Sequence, residues 1–444
     1  MDLNARPEVA RFLTALRETQ YLPTDRMQAY QRRLLDVLLR HAHSQTEFYT
    51  DRLAPVFRGD GSIDWQRWRE IPILTRADAQ GNFAALTARS LPNVAGEAVE
   101  DSSSGSTGRP LRHFTTDLQN LASACCSERF FEWHELRPDA LTARIRAAVN
   151  PETAYPTGRA ISGWRIGHPE SRVIDLSIAT DADKQIEWLD RVRPDYLISY
   201  PSNLRELARV AEARGERLRF NAVLTFGEMT SQDMHVAIRE HFGKEPLDRY
   251  GASETGHLSG TCPHSLKHHV SAEVVLLEIV DEAGEPAEPG TTGRVIVTPF
   301  YSLAMPLIRY EVGDLAIASA EPCGCGRTLP LLDAVVGRSR NVFHFEDGTS
   351  LWPVLLSSQL RRFVSYQQFQ VIQRTPTDIE FRYVPADRNQ VNDMPGLTAY
   401  FHRQLHPSVK VVATAVDTIG RSPGGKFEDY ICLIGVNEAG RPAG

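Results

Sequence analysis

The chain is poor in cysteine, has no long apolar run and carries no excess of positive charge. Six cysteines in 444 residues are too few for the disulfide framework of a small secreted domain. No apolar stretch approaches the ~20 residues of a membrane helix. The opening Met1-Asp2-Leu3-Asn4 lacks the basic-then-apolar pattern of a signal peptide. A cytoplasmic protein is the expectation. Basic residues number 49 against 56 acidic ones, for a net charge of −7, which does not make a nucleic-acid footprint. Neither nucleic acid nor membrane is therefore expected as a partner. The Gly-Lys-Ser/Thr signature of a Walker phosphate loop is also missing, as is any internal repeat.

What is present is ordinary globular composition, 42% hydrophobic and 24% charged. A chain of 444 residues exceeds one ordinary core, so two or more domains are expected. Residues 1–95 read as mostly helical, with Met27, Tyr30, Leu34, Leu38 and Ala42 at helical spacing. Thr75 offers an N-cap to a short helix. From about residue 140 strands alternate with helices: 144–149, then 196–200 before a helix over 203–214, then 222–226 before a helix capped by Thr230 or Ser231. That alternation predicts α/β layers with parallel strands, whose ligands collect beyond the carboxyl ends. Pro201-Ser202, Gly227-Glu228 and Tyr250-Gly251-Ala252-Ser253-Glu254 fall at such ends. Val274–Val280 and Gly293–Pro299 read as antiparallel strands of a smaller sheet. A boundary near residue 338 separates a large α/β part, 1–337, from a small α+β part, 338–444.

The stretch Asp101 to Pro110 (Asp-Ser-Ser-Ser-Gly-Ser-Thr-Gly-Arg-Pro) sits between two short strands. Its glycines and hydroxyls suit a phosphate cradle, and the same composition suits a solvated Ser/Gly linker. Further along come Tyr250-Gly251-Ala252-Ser253-Glu254, Tyr310-Glu311-Val312-Gly313-Asp314, Gly337-Arg338 and Pro423-Gly424-Gly425-Lys426, in that order. This series resembles the adenylate-forming superfamily of acyl- and aryl-CoA synthetases. Met305-Pro306-Leu307-Ile308-Arg309-Tyr310, Pro322-Cys323-Gly324-Cys325-Gly326 and Tyr200-Pro201-Ser202 are most similar to its phenylacetate-CoA ligase branch. The resemblance runs from about residue 26 to residue 432.

The resemblance implies a large adenylation domain and a small C-terminal domain that reorients about a hinge near Gly337-Arg338. It implies activation of a carboxylic acid, aryl or arylacetic, by ATP to an acyl-AMP and pyrophosphate, then transfer to CoA. The alternative acceptor is an amine or a carrier-protein thiol. Ser104, Gly105, Ser106, Thr107 and Gly108 would hold the β/γ-phosphates, with Arg109 where the family commonly has Lys. Glu254 would hold Mg²⁺, Ser253 the α-phosphate, and Asp314 with Arg338 the ribose. Tyr250, Gly251, Gly227 and Glu228 would lie at the adenine, and Lys426 would be the catalytic lysine. Arg340 occupies a hinge position that is acidic in the family. The acyl pocket is expected among 155–164, Phe226-Gly227 and 252–258, with Arg159, Trp164, Arg165 and His257 as lining candidates. A homodimer is a family-level expectation.

Cys323-Gly324-Cys325 places two thiols one residue apart, and Cys262 is followed by His264, His268 and His269. A closed set of three Cys and one His suits structural Zn²⁺. The resemblance favours His269 as the fourth ligand beside Cys262, Cys323 and Cys325.

Overall fold

The computed structural model describes residues 7–103, 110–147 and 150–434. The helices are α1 (Pro7–Thr19), α2 (Thr24–Gln45), α3 (Tyr49–Arg52), α4 (Arg76–Gly81), α5 (Phe83–Leu86), α6 (Asp117–Trp133), α7 (Ala182–Val192), α8 (Pro201–Ala213), α9 (Gln232–Phe242), α10 (Ser357–Leu360) and α11 (Met394–Gln404). Their starts follow the expected chemistry. Thr75 and Asp78 form a reciprocal capping box on α4, Thr116 caps α6 and Ser231 caps α9, each side chain satisfying an orphan backbone N–H. In α2 the periodic apolar face, Met27, Leu35, Leu38, Leu39 and Ala42, is the buried one. Among the described residues no helix is long and apolar enough to cross a membrane.

The strands are β1 (Ala98–Ser102), β2 (Arg112–Thr116), β3 (Leu141–Arg146), β4 (Arg159–Ser162), β5 (Arg172–Ser177), β6 (Tyr196–Ser199), β7 (Ala222–Phe226), β8 (Pro246–Ala252), β9 (Gly256–Thr261), β10 (His268–Val270), β11 (Val275–Val280), β12 (Thr292–Pro299), β13 (Tyr310–Ala318), β14 (Leu331–Arg338), β15 (Phe343–His344), β16 (Ser350–Leu351), β17 (Tyr366–Gln373), β18 (Asp378–Pro385), β19 (Lys410–Ala415) and β20 (Tyr430–Cys432). One 12-stranded sheet runs β11-β12-β13-β14-β10-β9-β8-β7-β6-β3-β5-β4. Its parallel core is β5, β3, β6, β7 and β8. The expectation of a separate smaller sheet for β11 and β12 is corrected here. The β9–β10 hairpin pairs with β14, so the antiparallel strands continue the same sheet.

Helix α6 lies against this sheet because β9 carries Gly260. A Cβ there would come within 2.4 Å of the Phe130 ring, closer than real contacts allow. The helix also carries charge inward. Arg129 and Glu273, 1% and 0% exposed, form an ion pair. Arg129 also donates to the Leu16 carbonyl at 3.3 Å, and Thr19 donates to Glu273 at 3.1 Å. The pair thereby ties α1, α6 and the 271–274 turn together.

A second core begins at Phe343 and gathers Tyr366, Phe369, Val371, Phe381, Phe401 and Tyr430. Its four-stranded sheet runs β19-β18-β17-β20 and is covered on one side by α11.

Removing one partner of a buried pair leaves an uncompensated charge. Glu273→Ala is therefore expected to cost about 3–5 kcal/mol. Urea unfolding followed by tryptophan fluorescence checks this, and an unmoved midpoint would count against the ion pair as a stabilising tie.

Candidate active site

The carboxyl end of β7 sets the geometry. The chain leaves Phe226 through Gly227, whose φ of 78° is costly for any residue with a Cβ. A Cβ there would also sit 3.2 Å from the Tyr200 ring and 3.6 Å from the Lys426 side chain. Glu228 follows, with its side chain only 6% exposed. Burial raises its pKa, but three donors oppose that shift. They are the backbone N–H groups of Ser202 at 3.0 Å and Phe427 at 2.6 Å, and the Arg421 guanidinium at 3.4 Å.

Those last donors belong to the C-terminal part, so Glu228 fastens the 421–427 turn to the strand end. Tyr200 adds a hydrogen bond to the Gly424 carbonyl at 2.8 Å. Arg205 of α8 makes a bidentate pair with Asp429, at 3.0 and 2.7 Å. Arg340, at the expected hinge, pairs with Glu428, so its charge is neutralised within the C-terminal part. The docked turn leaves Lys426 lining a cavity of about 230 Å³ together with Gly227, Glu228, Tyr250, Gly251, Asp314 and Arg338. The Lys426 pKa is lowered, first by burial and then by Arg338, while Asp314, Glu228 and Glu254 pull it back up.

Asp314 and Arg338 face each other across β13 and β14, with Nε to carboxylate at 3.2 Å. The Tyr250 hydroxyl donates to the second Asp314 oxygen at 2.8 Å. Burial, then Asp314, hold the Tyr250 pKa well above its ordinary value, so the phenol keeps its proton. Glu254, 4% exposed, accepts from Tyr310 at 3.2 Å and from its neighbour Ser253 at 3.1 Å. It also lies 3.5 Å from Arg76.

Arg76 leads to the Ser/Gly hairpin. It donates to the Ser103 hydroxyl at 2.6 Å. Ser103 and Leu111 close the hairpin through Ser103 N–H to the Leu111 carbonyl at 2.9 Å and Leu111 N–H to Ser103 Oγ at 3.0 Å. The expected phosphate-binding residues Ser104, Gly105, Ser106, Thr107, Gly108 and Arg109 lie outside the described residues. The hairpin base therefore sits next to the Glu254 cluster, an arrangement that the 150 residues between them in the chain conceal.

Among the acyl-pocket candidates, Arg165 is committed to Glu128 at 2.9 Å and Arg159 is an exposed partner of Glu152. Trp164 packs edge-on to Phe131, with ring centroids 5.6 Å apart. His257 is buried, and its Nδ1 meets Ser271 Oγ at 3.2 Å. Burial, aided by Arg249, pushes its pKa well below the ordinary value, so it is neutral. Arg76, Arg421 and Arg249 are site residues that sequence reasoning missed: they carry no motif, and only their contacts reveal them. Tyr310 stands in a quoted motif, but its bond to Glu254 was not foreseen.

Cys262, His269, Cys323 and Cys325 present four ligand atoms within 4.8 Å of one another. The thiols of Cys262 and Cys323 are 3.6 Å apart, and His269 Nε2 is 3.3 Å from the Cys325 sulfur. The register of β9 and β10 explains the choice among the histidines. His268 instead meets Ser259 at 3.3 Å and lies near Asp248, while His269 points to the Cys323–Cys325 turn. A compact set of three sulfurs and one imidazole matches the donor chemistry of tetrahedral zinc.

No protein-family model matches the chain. It is 24% identical over 363 residues to the phenylacetate-coenzyme A ligase of Thermus thermophilus, covering 77% of each chain. It is 26% identical over 372 residues to the enzyme of that name in Escherichia coli, covering 79% of each. Among solved structures, 2-hydroxyisobutyryl-CoA ligase in a postadenylation state superimposes with a TM-score of 0.74 at 18% identity. That match covers 93% of this chain and 90% of the other.

The docked turn leans on the Arg205–Asp429 pair. Asp429→Ala is expected to weaken docking by at least about 1.4 kcal/mol, a tenfold shift. Limited trypsin digestion at Arg421 and Lys426 should accelerate accordingly while far-UV circular dichroism stays constant. Equal cleavage rates in both proteins would contradict the latch.

Proposed function

We propose that the chain, similar over most of its length to phenylacetate-CoA ligases, is a member of the adenylate-forming superfamily and an ATP-dependent, AMP-forming acid–CoA ligase. The observation that carries this reading is Lys426 held over Gly227, in one cavity with Asp314, Arg338 and Tyr250. A carboxylate oxygen attacks the α-phosphorus of ATP. The bond from that phosphorus to the bridging oxygen breaks, and pyrophosphate leaves with the electron pair. The thiolate sulfur of CoA then attacks the acyl carbon and AMP departs. The first step is phosphoryl transfer, in which the protein mainly positions groups and stabilises charge.

Asp314 accepts two ribose hydroxyls, as an ionised carboxylate can without a proton of its own, and Arg338 steadies it. Tyr250 offers its ring to the adenine and its hydroxyl to Asp314. Lys426 places its ammonium between the reacting carboxylate and the α-phosphate, and Ser253 donates to the same phosphate. The Ser104–Arg109 segment takes the β/γ-phosphates. Glu254 is the carboxylate that would hold Mg²⁺, a hard cation suited to oxygen ligands, and that ion would neutralise phosphate charge. For the second step, the 338–444 part swings about Gly337-Arg338, releasing the Glu228 latch and withdrawing Lys426. An aryl or arylacetic acid suits the Phe131, Trp164 and Phe226 walls. Zn²⁺ would be held by Cys262, His269, Cys323 and Cys325 as a closed structural site that braces the β9–β10 hairpin.

Removing a preorganised charge from a reacting centre typically costs 10²–10³ in rate. Lys426→Ala should therefore slow acid-dependent ATP–pyrophosphate exchange by about 10²–10³-fold with the melting temperature unchanged. Wild-type exchange in that variant would sink the assignment. Product analysis with and without CoA identifies the acceptor.

The metal reading has its own check. Purified protein should carry one zinc per chain by elemental analysis, and Cys325→Ser should lose it with a fall in melting temperature. Zinc-free wild-type protein of the same stability would overturn that reading.

A further inference from the structure

Arg249 lies one residue before Tyr250 on β8, and alternation along a strand sends their side chains to opposite faces. Its register partner on β7 is Phe226, so the two share a face beside the Lys426 cavity. On that face the guanidinium sits 5.2 Å from the centre of the Phe131 ring. Phe131 meets Trp164, and Tyr200 and Phe226 close the other side with ring centroids 4.7 Å apart. The surroundings are aromatic walls that also carry Arg144, 5.8 Å from the centre of the Trp164 ring, and Arg165, 4.8 Å from that of Phe131, but those two cations are paired, with Asp175 at 2.7 Å and Glu128 at 2.9 Å.

Among the described residues Arg249, by contrast, has no anionic partner. Arg249 Nε is shut off from solvent without a hydrogen bond, and among the described residues no carboxylate pairs with the guanidinium. Asp175 is occupied by Arg144 at 2.7 Å and Arg146 at 3.0 Å. Asp248 points to the other face, where it accepts from Thr225 at 2.6 Å. Burial and the nearby Arg144 draw the Arg249 pKa down to about 10, so it remains charged at neutral pH. A second polar atom is unpartnered nearby, the buried Nε2 of His257. Keeping a buried cation unpaired costs free energy that an incoming anion would recover. A site built to pair a substrate group also rejects analogues that lack it.

We propose that Arg249 selects the acid substrate, which is a dicarboxylic acid with a flat apolar spacer. One carboxylate reaches Lys426 for activation. The other pairs with the Arg249 guanidinium, and the spacer lies between Phe226, Phe131 and Trp164. This specificity rests on the ligase reading above and adds the charge of the substrate's far end.

The test is ATP–pyrophosphate exchange with matched pairs of acids: benzoate against benzene-1,4-dicarboxylate, and phenylacetate against 4-carboxyphenylacetate. The wild-type enzyme should favour a dicarboxylate over its monoacid by at least about tenfold in kcat/KM. Arg249→Met should erase or reverse that preference, chiefly through KM, and Arg249→Lys should restore part of it. A wild-type preference for the monoacids would overturn the proposal even if the variants fail to fold. So would an Arg249→Met variant that loses activity equally on both members of a pair. Exchange with monoacids alone overturns only this inference, whereas no exchange with any acid overturns the ligase reading and this one with it.

Discussion

The carboxylate of Glu228 is the group on which the site depends. It sits at the end of a central parallel strand and is almost wholly withdrawn from water. A carboxylate there is tolerable only if donors surround it. Ser202 supplies one from the start of α8, and Phe427 and Arg421 supply the others from the C-terminal part. Satisfying Glu228 therefore docks the 421–427 turn, and docking the turn carries Lys426 to the cavity. The electrostatic demand of one buried side chain thereby couples two separately packed cores.

The remaining site residues follow from the sheet. In parallel strands the chain emerges from the same edge each time, so Gly227, Glu228 and the 250–254 run arrive at one edge without further instruction. Asp314 and Arg338 arrive from the antiparallel half, where the β13–β14 register sets them opposite each other. Joining both halves into one sheet turns residues from four distant motifs into one cavity wall. Tyr250 and Arg249 show the consequence of alternation: consecutive residues serve opposite faces, one at the Asp314–Arg338 pair and one among aromatic rings.

The cysteine cluster is a smaller instance of the same logic. Cys262 ends one strand of a hairpin, His269 returns on the other, and the Cys323–Cys325 turn closes over them. His268 and His269 are adjacent in sequence and chemically identical, yet pleating gives them different neighbours.

Much of this was legible from residue types and order. The capping threonine at 75, the cap at Ser231 (one of the two residues offered), the strand at 222–226 and the motif series ending at Lys426 follow from local propensities and from residue chemistry that needs no partner to be recognised. Other features were not legible because they are defined by a partner. β11 and β12 read as a separate small sheet because strand adjacency is set by long-range pairing through β14. Arg249 looks like any surface arginine, and nothing local marks Glu228, placed by resemblance at the adenine, as the group that docks the C-terminal turn until the surrounding groups are placed. Order, periodicity and local capping are properties of neighbours in the chain, so the sequence by itself determined the elements, the α/β class and the family likeness. Burial, pairing and the absence of a pair are properties of neighbours in space, so only the tertiary structure decided that Glu228 is a latch, that pleating turns His268 away from the thiols that His269 faces, as the resemblance had favoured, and that Arg249 stands without an anion among the described residues.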